Sequence, residues 1–366
     1  MKFSFRCSKC LSFPAEISAD QNNITGVQIL KNVHAFSYNE LKTATNGFRS
    51  SNKIGEGGFG SVYKGRLQDG TVVAVKVLSV ESKQGEKEFM SEIASMANIC
   101  HPNLVKLHGG CIDGPCRILV YDYMENNSLM QTLLGEENNR AKFSWKSRRN
   151  ISLGIARGLS HIHEEIKPHI VHRDIKASNI LLDQNLNSKI SDFGLSKLFA
   201  HNITHISTRV AGTLGYLAPE YVISGHLTRK SDVYSFGVLL MEIVSGRSAL
   251  DFDLQLGEHY LVEKAWEMYN SNKLLDLVDP MLNGNFSEDE AIRFLKVSLL
   301  CVQEKCSLRS TMSTAIKIMS GEICIDDNVQ ISQPGLITNI MDVKICQRRS
   351  SSRSITPMRS PWLSPL

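Results

Sequence analysis

The 366-residue chain is predicted to be an α+β protein, with strands gathered before about residue 125 and helices after it. Three observations carry this. Residues 54–77 read as strand, Gly-rich hairpin, strand, turn, strand. From Trp145 onward, apolar residues recur at helical spacing. Near the middle, residues 170–182 (Ile-Val-His-Arg-Asp-Ile-Lys-Ala-Ser-Asn-Ile-Leu-Leu) set an Asp, a Lys and an Asn on a short polar loop between apolar flanks. At this length one two-lobed domain, or two domains, with tails is expected.

Composition narrows the function. Apolar residues make up 42% of the chain, enough for a sizeable core, and the formal net charge is only +4, so no basic field argues for nucleic acid. The nine cysteines are odd in number and scattered without a secretory leader, which suits reduced thiols. Cys7 and Cys10 have CxxC spacing, but no second CxxC or His pair completes a zinc site. The apolar run Phe236 to Val244 is interrupted by Glu242 and falls far short of the roughly 18 residues of a membrane span.

Taken in order, residues 1–35 read as a tail. Phe36 to Phe48 has a Ser37-to-Glu40 capping spacing, helical Leu41, Ala44 and Thr45, and Gly47 as a stop, which predicts a short lead-in helix. Gly55, Gly57 and Gly60 allow close approach to an anionic ligand; a strand follows them where a dinucleotide fingerprint would need a helix. Lys76 closes the third strand with its stem among apolar residues, so its ammonium needs a partner. Glu92 supplies one from a predicted helix whose Phe89, Ile93 and Met96 keep i, i+4, i+7 spacing. Ile118 to Tyr121 is a strand running into a linker, where backbone at Asp122 and Met124 can meet an adenine edge. Ile151, Ile155, Leu159 and Ile162 mark a helix leading to the central loop.

That loop is a phosphoryl-transfer toolkit. Asp174 can accept the proton of an attacking hydroxyl, Lys176 can neutralise the moving phosphoryl group, and Asn179 can hold a Mg²⁺. Asp192, in Asp192-Phe193-Gly194 at a strand end, is the second metal ligand. The plainer reading of residues 170–182 is a polar surface loop. Between Asp192 and Glu220 lies a polar segment with Thr204, Ser207, Thr208 and Thr213; buried and amphipathic helical patterns follow at residues 232–240, 261–269 and 291–302.

Together, Gly55-x-Gly57-x-x-Gly60-x-Val62, Val73-Ala74-Val75-Lys76, Glu92, His172-Arg173-Asp174, Asn179, Asp192-Phe193-Gly194 and Ala218-Pro219-Glu220 resemble the eukaryotic protein kinases over about 270 residues. The lead-in Phe36 to Leu41 with Ala44 to Phe48, and Gly212 to Glu220, look like plant receptor-like kinases of the Pelle and interleukin-receptor-associated type. The short stretch before Phe36 makes the chain similar to receptor-like cytoplasmic kinases, the cold-responsive protein kinases among them. The resemblance implies a bilobal fold with a small β-rich lobe, a larger helical lobe and ATP with Mg²⁺ between them. It implies an ATP site of Ile54, Gly55, Gly57, Gly60, Val62, Ala74, Lys76, Asp122, Met124 and Leu181, with Ala74 and Leu181 on the adenine faces and Tyr121 as gatekeeper. Lys176 and Thr213 favour Ser/Thr acceptors, Asp232 anchors the catalytic loop, and Arg309 pairs with Glu220.

Cys306 and Ser310 stand where the family usually has prolines, which predicts lower local rigidity. A scaffold without turnover would lack Lys76, Asp174 or Asp192, and all three are present. The expected domain is 36–321, followed by a disordered tail, 322–366, containing Arg348 to Arg353 and Ser360-Pro361. Expected partners are protein substrates and an upstream receptor kinase, without nucleic acid. Lys2 after Met1 rules out myristoylation, whereas Cys7 and Cys10, among basic and aromatic residues, suit S-acylation at the cytoplasmic face of the plasma membrane; the alternative is a cytoplasmic chain.

Overall fold

Val73 and Val75 are fully buried while Ala74 between them and Lys76 after them are not, the period-two signature of a strand with two different faces. In the computed structural model, which describes residues 33–57, 60–78, 83–200, 203–253, 257–325 and 331–336, this strand is at the heart of a six-stranded sheet. The small lobe comprises β1 (His34–Ala35), α1 (Tyr38–Ala44), β2 (Lys53–Gly57), β3 (Gly60–Arg66), β4 (Val72–Leu78), α2 (Lys83–Met96), β5 (Leu107–Asp113) and β6 (Cys116–Asp122), with strand order β1-β5-β6-β4-β3-β2. Val73, Val75, Ile118 and Val120 form an outer core with Phe36 and Leu41. Lys76 pairs in register with Leu119, and Ala74 with Tyr121. A one-residue slip of β4 would turn Lys76 into that outer core, so the register itself sets the ammonium toward the cleft.

Ser37 caps α1 as its spacing predicts, accepting from the Glu40 N–H at 3.1 Å, and the helix stops where Asn46 and Gly47 turn left-handed. One element went unforeseen. The tail was expected to reach residue 35, yet β1 pairs parallel with Gly109 and Gly110 of β5. A Cβ on residue 109 would lie 2.0 Å from the His34 carbonyl oxygen, so only glycine admits this strand.

The larger lobe continues with α3 (Glu137–Arg140), α4 (Trp145–Ser160), β7 (His169–Val171), β8 (Ile180–Leu182), β9 (Ser188–Ile190), β10 (Lys197–Phe199), β11 (Ile206–Ser207), α5 (Pro219–Ser224), β12 (His226–Leu227), α6 (Arg229–Ser245), β13 (Leu250–Asp253), β14 (Gly257–Tyr260), α7 (Leu261–Asn270), α8 (Glu288–Cys301) and α9 (Met312–Ser320). Helix α6 is buried along nearly its whole length, begins in a Thr228/Ser231 capping box and ends at a left-handed Gly246. The short ladders β7–β10 and β8–β9 hold the two ends of the central loop. Among the described residues no helix is long and apolar enough to cross a membrane.

The expectation of a disordered tail from residue 322 does not hold for residues 331–336. Ile331 is buried, the Gly335 N–H donates to the Val302 carbonyl at 3.0 Å, and the Tyr234 hydroxyl donates to the Gly335 carbonyl at 2.7 Å. The Glu304 N–H donates to the Gln333 carbonyl, so backbone left over after α8 is satisfied by this segment. The connection around Cys306 and Ser310 is also better held than two missing prolines imply: the Lys230 ammonium donates to the Ser310 carbonyl at 2.9 Å and to that of Arg309. Cys7, Cys10, Arg348 to Arg353 and Ser360-Pro361 lie outside the described residues.

Candidate active site

Lys76 projects from β4 into the space between the lobes, where Glu92 Oε1 of α2 lies 2.5 Å from its Nζ and Asp192 Oδ1 lies 2.8 Å away. Phe89, Ile93 and Met96 drive α2 into the core and thereby fix the flank that carries Glu92. Burial alone would discharge Lys76, but the two carboxylates outweigh it and raise its pKa. Burial pushes the Glu92 carboxyl up to about 7 against the pull of Lys76. Asp192 is held below the usual carboxylate range: burial opposes its charge, and Lys76, His172 and Lys176 overcome it. The Tyr121 hydroxyl, expected at the gatekeeper position, donates to Glu92 Oε2, a contact between residues 29 positions apart that no local pattern marks.

Below this cluster the catalytic loop hangs from α6. Asp232, fully buried, accepts from the backbone N–H groups of His172 at 2.6 Å and Arg173 at 2.8 Å, and from His163 Nε2 at 2.9 Å. Burial disfavours its charge, yet these donors keep its pKa low. Downstream, Asn179 Nδ2 donates to both the carbonyl and Oδ2 of Asp174, at 2.8 and 3.0 Å. Thr213 Oγ1 donates to Asp174 Oδ1 at 2.7 Å, Lys176 Nζ donates to Thr213 Oγ1 at 2.7 Å, and Lys176 stands 2.8 Å from Asp174 Oδ2. A hydroxyl thus already occupies the position between the Asp174 carboxylate and the Lys176 ammonium.

A cavity of about 490 Å³ opens above these residues. Ile54, Gly55, Gly60, Val62, Ala74, Lys76, Asp122, Met124, Leu181, Asn179 and Asp192 all line it, together with Glu92 and Tyr121. Gly57 pairs with Gly60 across the hairpin, whose turn residues 58 and 59 lie outside the described residues. With its amide nitrogen committed to Asp174, Asn179 has its side-chain oxygen left for a cation in the cavity that Asp192 also lines. No cluster of three or more His, Cys, Asp or Glu is present among the described residues. Two oxygen ligands without a full protein cage fit a hard divalent ion that takes its other ligands from phosphate and water.

Arg173, next to Asp174 in the chain, is held by oxygens from three other positions. Its guanidinium donates to the Tyr221 hydroxyl and to the carbonyls of Leu195 (2.9 Å) and Arg209 (2.8 Å), all of them neutral acceptors. Burial, then the charges of Arg173 and Lys87, lower the pKa of Lys197.

The fold and this constellation define a phosphotransferase cleft, and the sequence agrees. The protein kinase domain model matches residues 48–319, and the chain belongs to that family. It is 57% identical over 321 residues to Cold-responsive protein kinase 1 of Arabidopsis thaliana, covering 87% of this chain and 82% of that protein. Two probable LRR receptor-like serine/threonine-protein kinases of the same plant are each 49% identical over 87% and 90% of this chain, which spans only 30% and 31% of their length. The chain is a serine/threonine protein kinase that uses ATP and a divalent metal ion to act on protein substrates.

Proposed function

We propose that Asp174 is the base that orients and deprotonates the acceptor hydroxyl, and that Lys176 neutralises the transferred group. In the same reading Lys76 holds ATP phosphates, Glu92 positions Lys76, and Asn179 with Asp192 binds Mg²⁺. Bound ATP supplies the γ-phosphoryl group, and bound Mg²⁺ neutralises its charge. Everything else is positioning by this chain. The observation that carries the reading is the Thr213 hydroxyl between Asp174 Oδ1 and Lys176 Nζ, each at 2.7 Å, the geometry an acceptor hydroxyl needs. Ala74 and Leu181 enclose the adenine, whose edge meets backbone at Asp122 and Met124. The test is labelled-phosphate transfer by the purified chain with mapping of the acceptor residues; transfer confined to tyrosine, or none, counts against it.

The relatives' names support a wider role downstream of a receptor kinase or in a stress response, which we place at the cytoplasmic face of the plasma membrane. Cys7 and Cys10, beside Lys2, Arg6 and Lys9, support attachment there through two acyl chains, because one chain alone holds only marginally. Cell fractionation of the wild type against the Cys7→Ser, Cys10→Ser double variant tests the attachment, and equal soluble fractions would sink it.

A further inference from the structure

We propose that Ser196, held by Ser91 and Ser95, is a positioning residue for phosphoryl transfer: a chain of serine hydroxyls fastens α2 to the Asp192-Phe193-Gly194 turn and so keeps Glu92 on Lys76. The proposal rests on the reading of the cleft given above.

Glu88, Ser91 and Ser95 share one flank of α2 at i, i+3, i+7, and that flank faces the turn. Ser91 Oγ donates to the Ser196 carbonyl at 2.9 Å and reaches the Phe193 carbonyl at 3.3 Å. Ser95 Oγ lies 2.7 Å from Ser196 Oγ, and Ser196 Oγ lies 2.6 Å from the Phe193 carbonyl. Each hydroxyl has one proton, and only one assignment uses all three on these short contacts: Ser95 to Ser196, Ser196 to the Phe193 carbonyl, Ser91 to the Ser196 carbonyl. At the near end of the flank, a Cβ on Gly194 would meet Glu88 Cγ at 3.2 Å, so backbone and helix are already in close contact.

These hydroxyls are not needed for packing. Ser95 and Ser196 are 4% and 3% exposed, where alanine would be buried with less desolvation. Their directional bonds do what alanine cannot. Glu92 adjoins Ser91 in sequence, and the Phe193 carbonyl adjoins Asp192, so the cluster ties together the two segments whose carboxylates share Lys76. Phe193 is itself buried and stacks edge-on against His172 at 4.7 Å, which carries the constraint to the catalytic loop.

The test uses the full chain with casein as the probe substrate. Ser196→Ala is expected to lower kcat about fivefold to tenfold, the loss of one buried hydrogen bond felt at the reacting centre, with both KM values within about twofold of wild type. Ser95→Ala combined with Ser196→Ala should be no worse than Ser196→Ala, because Ser95 loses its acceptor in the single variant. Amide hydrogen exchange should quicken over residues 89–96 and stay unchanged over 229–245. A kcat within about twofold of wild type, or exchange accelerated equally in both regions, overturns the proposal. If the buried variants fail to fold, Ser91→Ala at the half-buried end decides, with a kcat loss of about threefold expected and none overturning it. Lys76→Met is assayed alongside: activity there defeats the reading of the cleft, whereas an inactive Lys76→Met with an unaffected Ser196→Ala defeats only the positioning role.

Discussion

Lys76, mostly buried in the cleft, and Arg309, fully buried in the helical lobe, are both cations held by carboxylates, yet only one is finished. Arg309 has no exposed side-chain surface; it grips both oxygens of Glu220 at 2.8 Å, donates to the Gln303 and Lys230 carbonyls and lies over the Tyr234 ring. Its donors are answered within the fold. Lys76 is shared between two carboxylates on separate segments and faces a cavity of about 490 Å³. Asp232 and Asp174 contrast in the same way: the first is fully buried with its donors around it, while the second holds the Thr213 hydroxyl that, in the reading proposed above, an acceptor hydroxyl would replace. Charge that is fully answered builds the fold, and charge left open to a ligand does chemistry.

The largest expected effect tests the open side of this contrast. Asp174→Asn and Lys76→Met should each lower the rate at least about 10²- to 10³-fold, roughly 3–4 kcal/mol, with unchanged far-ultraviolet circular dichroism. Turnover at the wild-type rate in both would remove the distinction.

Next comes the closed side. Glu220→Gln leaves Arg309 buried without its counter-charge and should cost about 3–5 kcal/mol of stability, seen as a melting temperature lower by about 5–10 °C. If the variant melts like wild type but loses turnover, the pair belongs with the catalytic charges instead.

Thr208→Ala probes an intermediate case. Arg173 is satisfied by neutral acceptors only, and its guanidinium holds the Arg209 carbonyl next to Thr208, so a phosphate on Thr208 would stand close to a guanidinium held only by neutral oxygens. After phosphatase treatment and reactivation the variant should recover less activity than wild type, by about tenfold. Full recovery would shift attention to Ser207.

The last effect is in pH. Glu242, buried in α6, accepts from the Tyr216 hydroxyl and the Ala249 N–H; burial, only partly opposed by these bonds, pushes its carboxyl up to about 8. Its folded pKa exceeds the ordinary value, so its stabilising contribution is full below about 4.5 and is lost as pH rises through about 8. Glu242→Gln should flatten the fall in stability between pH 5 and 8 by on the order of a few kcal/mol, measured by denaturant unfolding. An unchanged slope would show that other groups set it.

Much of the fold and of the cleft was legible in the residues themselves. Alternation around Val73 and Val75, helical spacing through Phe89, Ile93 and Met96, and the Ser37 cap are local rules, and the elements follow them. The spacing of Asp174, Lys176 and Asn179 on one loop likewise needs no partner from afar. Strand β1 escaped notice because two residues carry no periodicity, and its existence depends on the absence of a side chain at Gly109, seventy-five positions from His34. The docking of residues 331–336 depends on backbone groups left open after α8 and on the Tyr234 hydroxyl, neither of which marks the sequence of the tail.

By itself, then, the order of residues determined which side chains could carry phosphoryl transfer and which periodicities could build strands and helices, since both are set by near neighbours. Tertiary structure alone decided which charges would be closed and which left open, and which hydroxyls would meet. Hydrogen bonds and desolvation act over a few ångströms in space, and the residues they join here, Lys76 with Asp192, Ser95 with Ser196, Arg309 with Glu220, lie about a hundred positions apart in the chain.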